Sequence, residues 1–142
     1  PVPVRFDKLR NPKRDMVWVA LAGPAANFAM ALLWGICLTL LRAANFQEEF
    51  FLEVCKAGVF VNIVLFAFNL FPLPPLDGGR ILVGLLPMKQ ALAVSRIEPY
   101  GFFIVIALIY FQIINYFWMY PLTVLTKFLL SMVLSPLAML LS

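Results

Sequence analysis

Asn69-Leu70-Phe71-Pro72-Leu73-Pro74-Pro75-Leu76-Asp77-Gly78-Gly79-Arg80 closes a charge-free apolar run that begins at Ala57. A chain in lipid must satisfy its own backbone N–H and C=O groups, so the run is predicted to be helical. Pro72, Pro74 and Pro75 then stop the helix. Each lacks an N–H, and Pro74 disfavours the α region at Leu73. The chain is thus expected to unwind beside the membrane and present Asp77 at once, with Gly78 and Gly79 allowing a tight backbone approach. A carboxylate at the bilayer centre costs roughly 2.5–3.5 kcal/mol on insertion scales, so it is rarely idle. Local physics leaves two readings open: Asp77 paired with Arg80 at the water interface, or a metal- or ion-site carboxylate on a broken helix.

Composition makes the bilayer the solvent. The 142 residues are 63% hydrophobic and 13% charged, against about 25% charged in ordinary soluble domains. The fold class this implies is all-α, a polytopic integral membrane protein of three to four transmembrane helices with a Pro-broken helix before Leu76-Asp77-Gly78. Net charge is +4, but the basic residues sit between apolar runs, where they orient a membrane protein. Lipid is therefore an expected partner and nucleic acid is not. Cys37 and Cys55 lie in or beside apolar runs and read as small hydrophobes, with a disulfide on the outer side as the alternative.

Residues 1–15 carry Arg5, Lys8, Arg10, Lys13 and Arg14 against Asp7 and Asp15, a basic arm expected on the cytoplasmic side. Within it Val2, Val4 and Phe6 alternate as on an edge strand, and Asn11-Pro12 reads as a helix start. Residues 16–41 form a first span built from small residues, with Pro24 expected to kink it. Asn27 lies one turn from Gly23. An interhelical hydrogen bond worth about 0.6 kcal/mol is the simplest role for it, a polar site wall the other. Arg42 to Lys56 reads as a slightly acidic outer loop. Residues 57–71 form a second span, on which Asn62 and Asn69 share a face. Residues 72–98 hold the Asp77 loop and a polar surface segment, with Ile81 to Leu86 as a short helix. Residues 99–118 read as a third span that breaks at Asn115–Pro121, with Tyr116, Trp118 and Tyr120 as an interfacial belt. Residues 122–142 read as a fourth span or an in-plane helix, with Lys127 snorkelling outward. The whole chain, 1–142, is read as a single membrane domain.

Read as N-x-x-P-x-P-x-L-D-G, Asn69 to Gly78 resembles the second zinc-site motif of the site-2 protease family of intramembrane metalloproteases. Asn11-Pro12-Lys13-Arg14-Asp15, Leu21-Ala22-Gly23-Pro24-Ala25-Ala26-Asn27 and Pro1-Val2-Pro3-Val4 resemble segments upstream of that motif in the family's small members. The resemblance implies a Zn2+ held by two histidines and by Asp77. It also implies Asn69 as the donor to a developing oxyanion, and a site wall of Gly23, Pro24, Asn27, Pro72, Pro74, Pro75 and Gly78. The implied reaction is attack by zinc-activated hydroxide on a peptide bond of a locally unwound transmembrane protein substrate. One feature departs from the family. The chain has no histidine, so the H-E-x-x-H helix that would supply two ligands and the general base is not in it. The expectation is a C-terminal part of a longer protease, inactive alone, whose partner is the missing N-terminal half. The alternatives are a non-catalytic membrane scaffold of the same fold, or a small transporter-like protein with an ion site at the broken helix.

Overall fold

The computed structural model describes residues 12–142. The arm up to Asn11, with the alternating Val2, Val4 and Phe6, lies outside the described residues. The described residues form helices joined by short turns, with no strand among them: α1 Pro12–Ala43, α2 Glu49–Asn69, α3 Asp77–Leu85, α4 Met88–Ser95, α5 Glu98–Tyr110, a π-helical turn Asn115–Met119, and α6 Tyr120–Leu141. Three stretches are long and apolar enough to cross a membrane: Lys13–Ala43, Glu49–Asn69 and Asn115–Leu141. The α4–α5 pair, bent by 65°, would make a fourth if it acts as one span. Large apolar side chains face outward along them, Phe103 at 69% and Phe117 at 80% exposure. On a water-soluble protein such surface would aggregate; here it is the face an integral membrane protein turns to lipid.

The centre is an antiparallel α1–α2 hairpin. Phe28 meets Phe66 with ring centroids 5.6 Å apart, the Trp34 indole lies over Gly58, and the Cys37 and Cys55 sulfurs are 3.5 Å apart. Ala31 and Ile63 form the buried middle with Leu130 of α6, flanked by Phe28, Leu32 and Val59. Leu134 of α6 seats on Gly35. Small residues at each crossing let the helices approach closely, which is how helices associate where lipid removes the hydrophobic drive.

Several boundaries depart from those read in the sequence, each for a local reason. α1 continues as one helix through Pro24, which is buried, and extends from Pro12 to Ala43 beyond the expected 16–41. α2 begins at Glu49, well before Ala57, and the outer loop shrinks to residues 44–48. Glu49 complements the positive helix end, and Lys56 pairs with Glu53 one turn back at 2.7 Å, so charged turns extend the apolar helix. The apolar run expected over 99–118 is divided between two helices. Gln112 takes a left-handed φ of 63° and ends α5 at Tyr110, while its side chain accepts a 2.6 Å hydrogen bond from Asn115 Nδ2. The expected break at Asn115–Pro121 is instead a π turn that runs on into α6, with Pro121 just past the junction. Asn115–Leu141 is long and apolar enough to cross by itself, whereas α5 passes that test only together with α4 across the 65° bend.

Candidate functional site

Two helix ends meet around Asp77. The prolines leave the last carbonyls of α2 without intrahelical partners. Phe66 O and Phe68 O are taken by the N–H groups of Leu70 and Phe71, and Ala67 O accepts 2.8 Å from Trp118 Nε1. Phe71 packs edge-on against the same indole. Trp118 is thus half-buried and holds the end of α2 in place, where an interfacial belt position was expected. Two tight turns follow, closed by Leu73 N–H to Phe71 O and Leu76 N–H to Leu73 O. The chain then re-enters a helix at Asp77 itself, so the expected loop through Gly79 is the first turn of α3.

This turn exists only because its glycines carry no side chain. A Cβ on Gly78 would collide with Leu70 O and Phe71 O, and one on Gly79 with the Pro74 nitrogen. Both glycines are buried and neither has a positive φ, so closeness rather than backbone freedom requires them. Gly101 of α5 presses on Pro74 O in the same way, which makes it part of the support. Nothing in its local sequence signals that, since its partner is 27 residues upstream. Pro74 is fully buried, whereas Pro72 and Pro75 are exposed. Lys13 Nζ donates to Leu86 O and closes the far end of α3, and Gly84 of α3 packs against Val17 of α1.

Asp77 is thereby pressed against α1. A Cβ placed on Gly23 would come 2.6 Å from Asp77 Oδ2, so the carboxylate occupies the space that Gly23 leaves open. The interface pairing with Arg80 does not form. Arg80 reaches Glu98 instead, at 3.7 Å. Among the described residues the Asp77 carboxylate accepts no hydrogen bond. Burial pushes its pKa above the ordinary carboxylate value, and the nearby Arg80 charge pulls it partly back.

Two amides share this level. Asn27 is one turn from Gly23 on α1. Carrying the register of the Trp34–Gly58 and Cys37–Cys55 contacts down the hairpin puts Asn69 level with Gly23. Both amides are half-buried, and neither makes a hydrogen bond among the described residues, so the interhelical bond expected of Asn27 is absent. Asn62, two turns along from Asn69, differs: its Nδ2 donates 2.8 Å to Gly58 O in its own helix. Asp77 thus sits on Gly23 at the end of the hairpin where Asn27 and Asn69 also lie, and among the described residues the side-chain polar atoms of Asn27, Asn69 and Asp77 have no protein partner.

A hydrolytic zinc takes three protein ligands. Among the described residues no group of three or more His, Cys, Asp or Glu could hold a metal ion. A carboxylate with free lone pairs fits one ligand position, and the donor set supplies no more than that one.

Comparison with known proteins gives the site a family context. The family model for "Peptidase family M50" matches residues 40–112, which includes Asn69 to Gly78. "Putative zinc metalloprotease YwhC" of Bacillus subtilis (strain 168) is 33% identical over 117 residues, 76% of this chain and 52% of that protein. "Putative zinc metalloprotease MJ0611" of Methanocaldococcus jannaschii is 31% identical over 64 residues, 45% of this chain and 31% of that protein. The chain thus spans about half the length, or less, of these curated relatives. No solved structure matches it.

Proposed function

The chain belongs to peptidase family M50, a family of zinc metalloproteases, and from that premise we propose that it contributes one zinc ligand and the oxyanion donor of an intramembrane protease. Asp77 is the ligand in this reading and Asn69 the donor. The observation that carries it is the seat of Asp77, a half-buried carboxylate lodged in the gap at Gly23 and left, among the described residues, without a hydrogen-bond partner. Leaving a partly buried charge unsatisfied is costly unless something else is to fill its coordination.

The remaining ligands and the general base are proposed to come from an H-E-x-x-H segment outside these 142 residues. When bound, zinc supplies the Lewis acidity that makes water nucleophilic near neutral pH. The chain's own residues do the positioning. The proline turn ends α2 so that Asp77 can point at α1 rather than along a continuing helix. Gly23 sets how deep the carboxylate sits. Asn69, with its amide unspent, offers N–H to charge that develops on a peptide carbonyl. The substrate is proposed to be a transmembrane segment unwound at the scissile bond. The basic residues 80, 89 and 96 and the arm before Asp15 support a cytoplasmic placement of the Asp77 end.

The test is to supply the H-E-x-x-H segment and measure cleavage of a membrane-embedded substrate together with zinc content. Asn69→Ala is expected to lower turnover by roughly 10²–10³, the scale for one lost oxyanion donor, with zinc retained. Asp77→Ala is expected to lose zinc and activity together. Asn62→Ala, which removes only a bond within α2, should leave turnover near wild type. Unchanged cleavage by Asn69→Ala would remove its oxyanion role, and full zinc in Asp77→Ala would remove the ligand assignment.

A further inference from the structure

At the other end of the α1–α2 hairpin two thiols face each other. Cys37 Sγ and Cys55 Sγ are 3.5 Å apart, on different helices, and both cysteines are free. We propose that they form a redox-active dithiol that closes reversibly into a disulfide stapling α1 to α2. Three features argue for more than two small hydrophobes in contact. First, the contact is enforced. One turn deeper the Trp34 indole sits on Gly58, so the helices are held together where the thiols meet. Second, the two thiols are unequal: Cys55 is buried and Cys37 half-buried, which gives an entry thiol and a resolving thiol. Third, the pair lies at interface depth. Cys55 is flanked by the exposed Glu53–Lys56 ion pair, and Arg42 follows Cys37 by five residues, about 8 Å along the helix. An aqueous oxidant can reach that level, whereas thiols at mid-bilayer would be inert.

The oxidant class is a small aqueous disulfide, R–S–S–R. Cys37, as thiolate, attacks one of its sulfurs and expels the first R–S⁻, which leaves as R–SH with the proton Cys37 gave up. The sulfur of Cys55 then attacks Cys37 Sγ in the mixed disulfide, the Cys37–SR bond breaks, and the second R–SH leaves with the Cys55 proton. Two electrons pass from the cysteine pair to the oxidant. The sulfurs close from 3.5 Å to about 2.05 Å. The staple lies some 14 residues along α1 from Gly23, about 21 Å away, so it fixes the hairpin without touching the Asp77 site. It stands whether or not the zinc reading does.

The experiment uses native membranes containing this protein, equilibrated with graded ratios of oxidised and reduced glutathione. Samples are acid-quenched, denatured and labelled with a mass-tagging maleimide, and peptides are mapped by mass spectrometry. The expected result is that Cys37 and Cys55 lose labelling together, each by more than tenfold, with a two-electron dependence on the glutathione couple. A peptide bridging the two should be recovered and should vanish with dithiothreitol. In Cys55→Ser, Cys37 should instead accumulate a glutathione adduct. Two results would overturn the proposal: both wild-type thiols remaining labelled across the whole range, or a wild-type Cys37 adduct that never resolves onto Cys55.

Discussion

The inward contacts around Asp77 and the outward faces of the helices are built on opposite rules. From α1 to α3, contacts are made through absent side chains: Gly23 under Asp77, Gly58 under Trp34, Gly78 and Gly79 under the proline turn, Gly84 under Val17. On the outward faces, of α1 and α2 as of α5 and α6, large apolar groups such as Leu33, Phe60, Phe103 and Leu140 project away from the protein. α5 joins the inward contacts through one such gap, Gly101 on Pro74. The difference separates a scaffold whose backbone positions are fixed to within an atom from a surface that needs only to be apolar. The polar atoms without partners, on Asn27, Asn69 and Asp77, all fall in the scaffold.

That contrast is broken most severely at Gly79. Gly79→Val drives a side chain into the backbone of Leu73 and Pro74, which cannot swing aside. It is expected to cost about 3 kcal/mol or more, read by reversible unfolding in bicelles, and a loss under 1 kcal/mol would show the turn to be loose. Gly23→Ala sharpens the comparison because its neighbour is the far end of a flexible carboxylate. Stability should hardly change, while zinc affinity of the assembled protein should fall roughly 10–100-fold, as for a misdirected ligand. A parallel loss of stability and affinity would mean general disruption.

Asp77→Asn isolates the burial of the charge. Burial raises the folded carboxyl pKa, so the folded state binds the proton more tightly than the unfolded state does. The stability Asp77 contributes is fully present below the unfolded value, near 4, and is lost as pH rises through the raised folded value. Metal-free wild type should therefore lose stability relative to Asp77→Asn as pH rises above about 4 and through the raised folded value, measured as paired unfolding curves. A wild type that gains on the variant across that window would refute the sign. The smallest effect is expected at the outward face, where Phe103→Leu should stay within about 0.5 kcal/mol.

How much was legible follows from where the causes lie. Pro72, Pro74, Pro75 and Asp77 act on the backbone locally, so the broken helix and its carboxylate could be read directly. The start of α2 at Glu49 could not, because an ion pair between Glu53 and Lys56 keeps charged turns helical where apolarity alone predicts a loop. The left-handed Gln112 carries no glycine or asparagine signature, so the end of α5 at Tyr110 is not legible locally. Trp118 and Gly101 act on Ala67 and Pro74, partners far away in sequence, and no window of local sequence contains both members. The three site polars were named from residue type and motif. That they go without protein partners is a property of packing, visible only in three dimensions.

The account turns on whether position 77 touches the metal. The direct measurement is zinc X-ray absorption on the protein supplied with an H-E-x-x-H segment, comparing wild type with Asp77→Cys. Substituting a thiolate should place a sulfur at about 2.3 Å in the zinc shell that wild type lacks, because Cys37 and Cys55 lie at the far end of the hairpin. A variant that binds zinc as wild type does, with only nitrogen and oxygen around it, would contradict the assignment of Asp77 as a ligand.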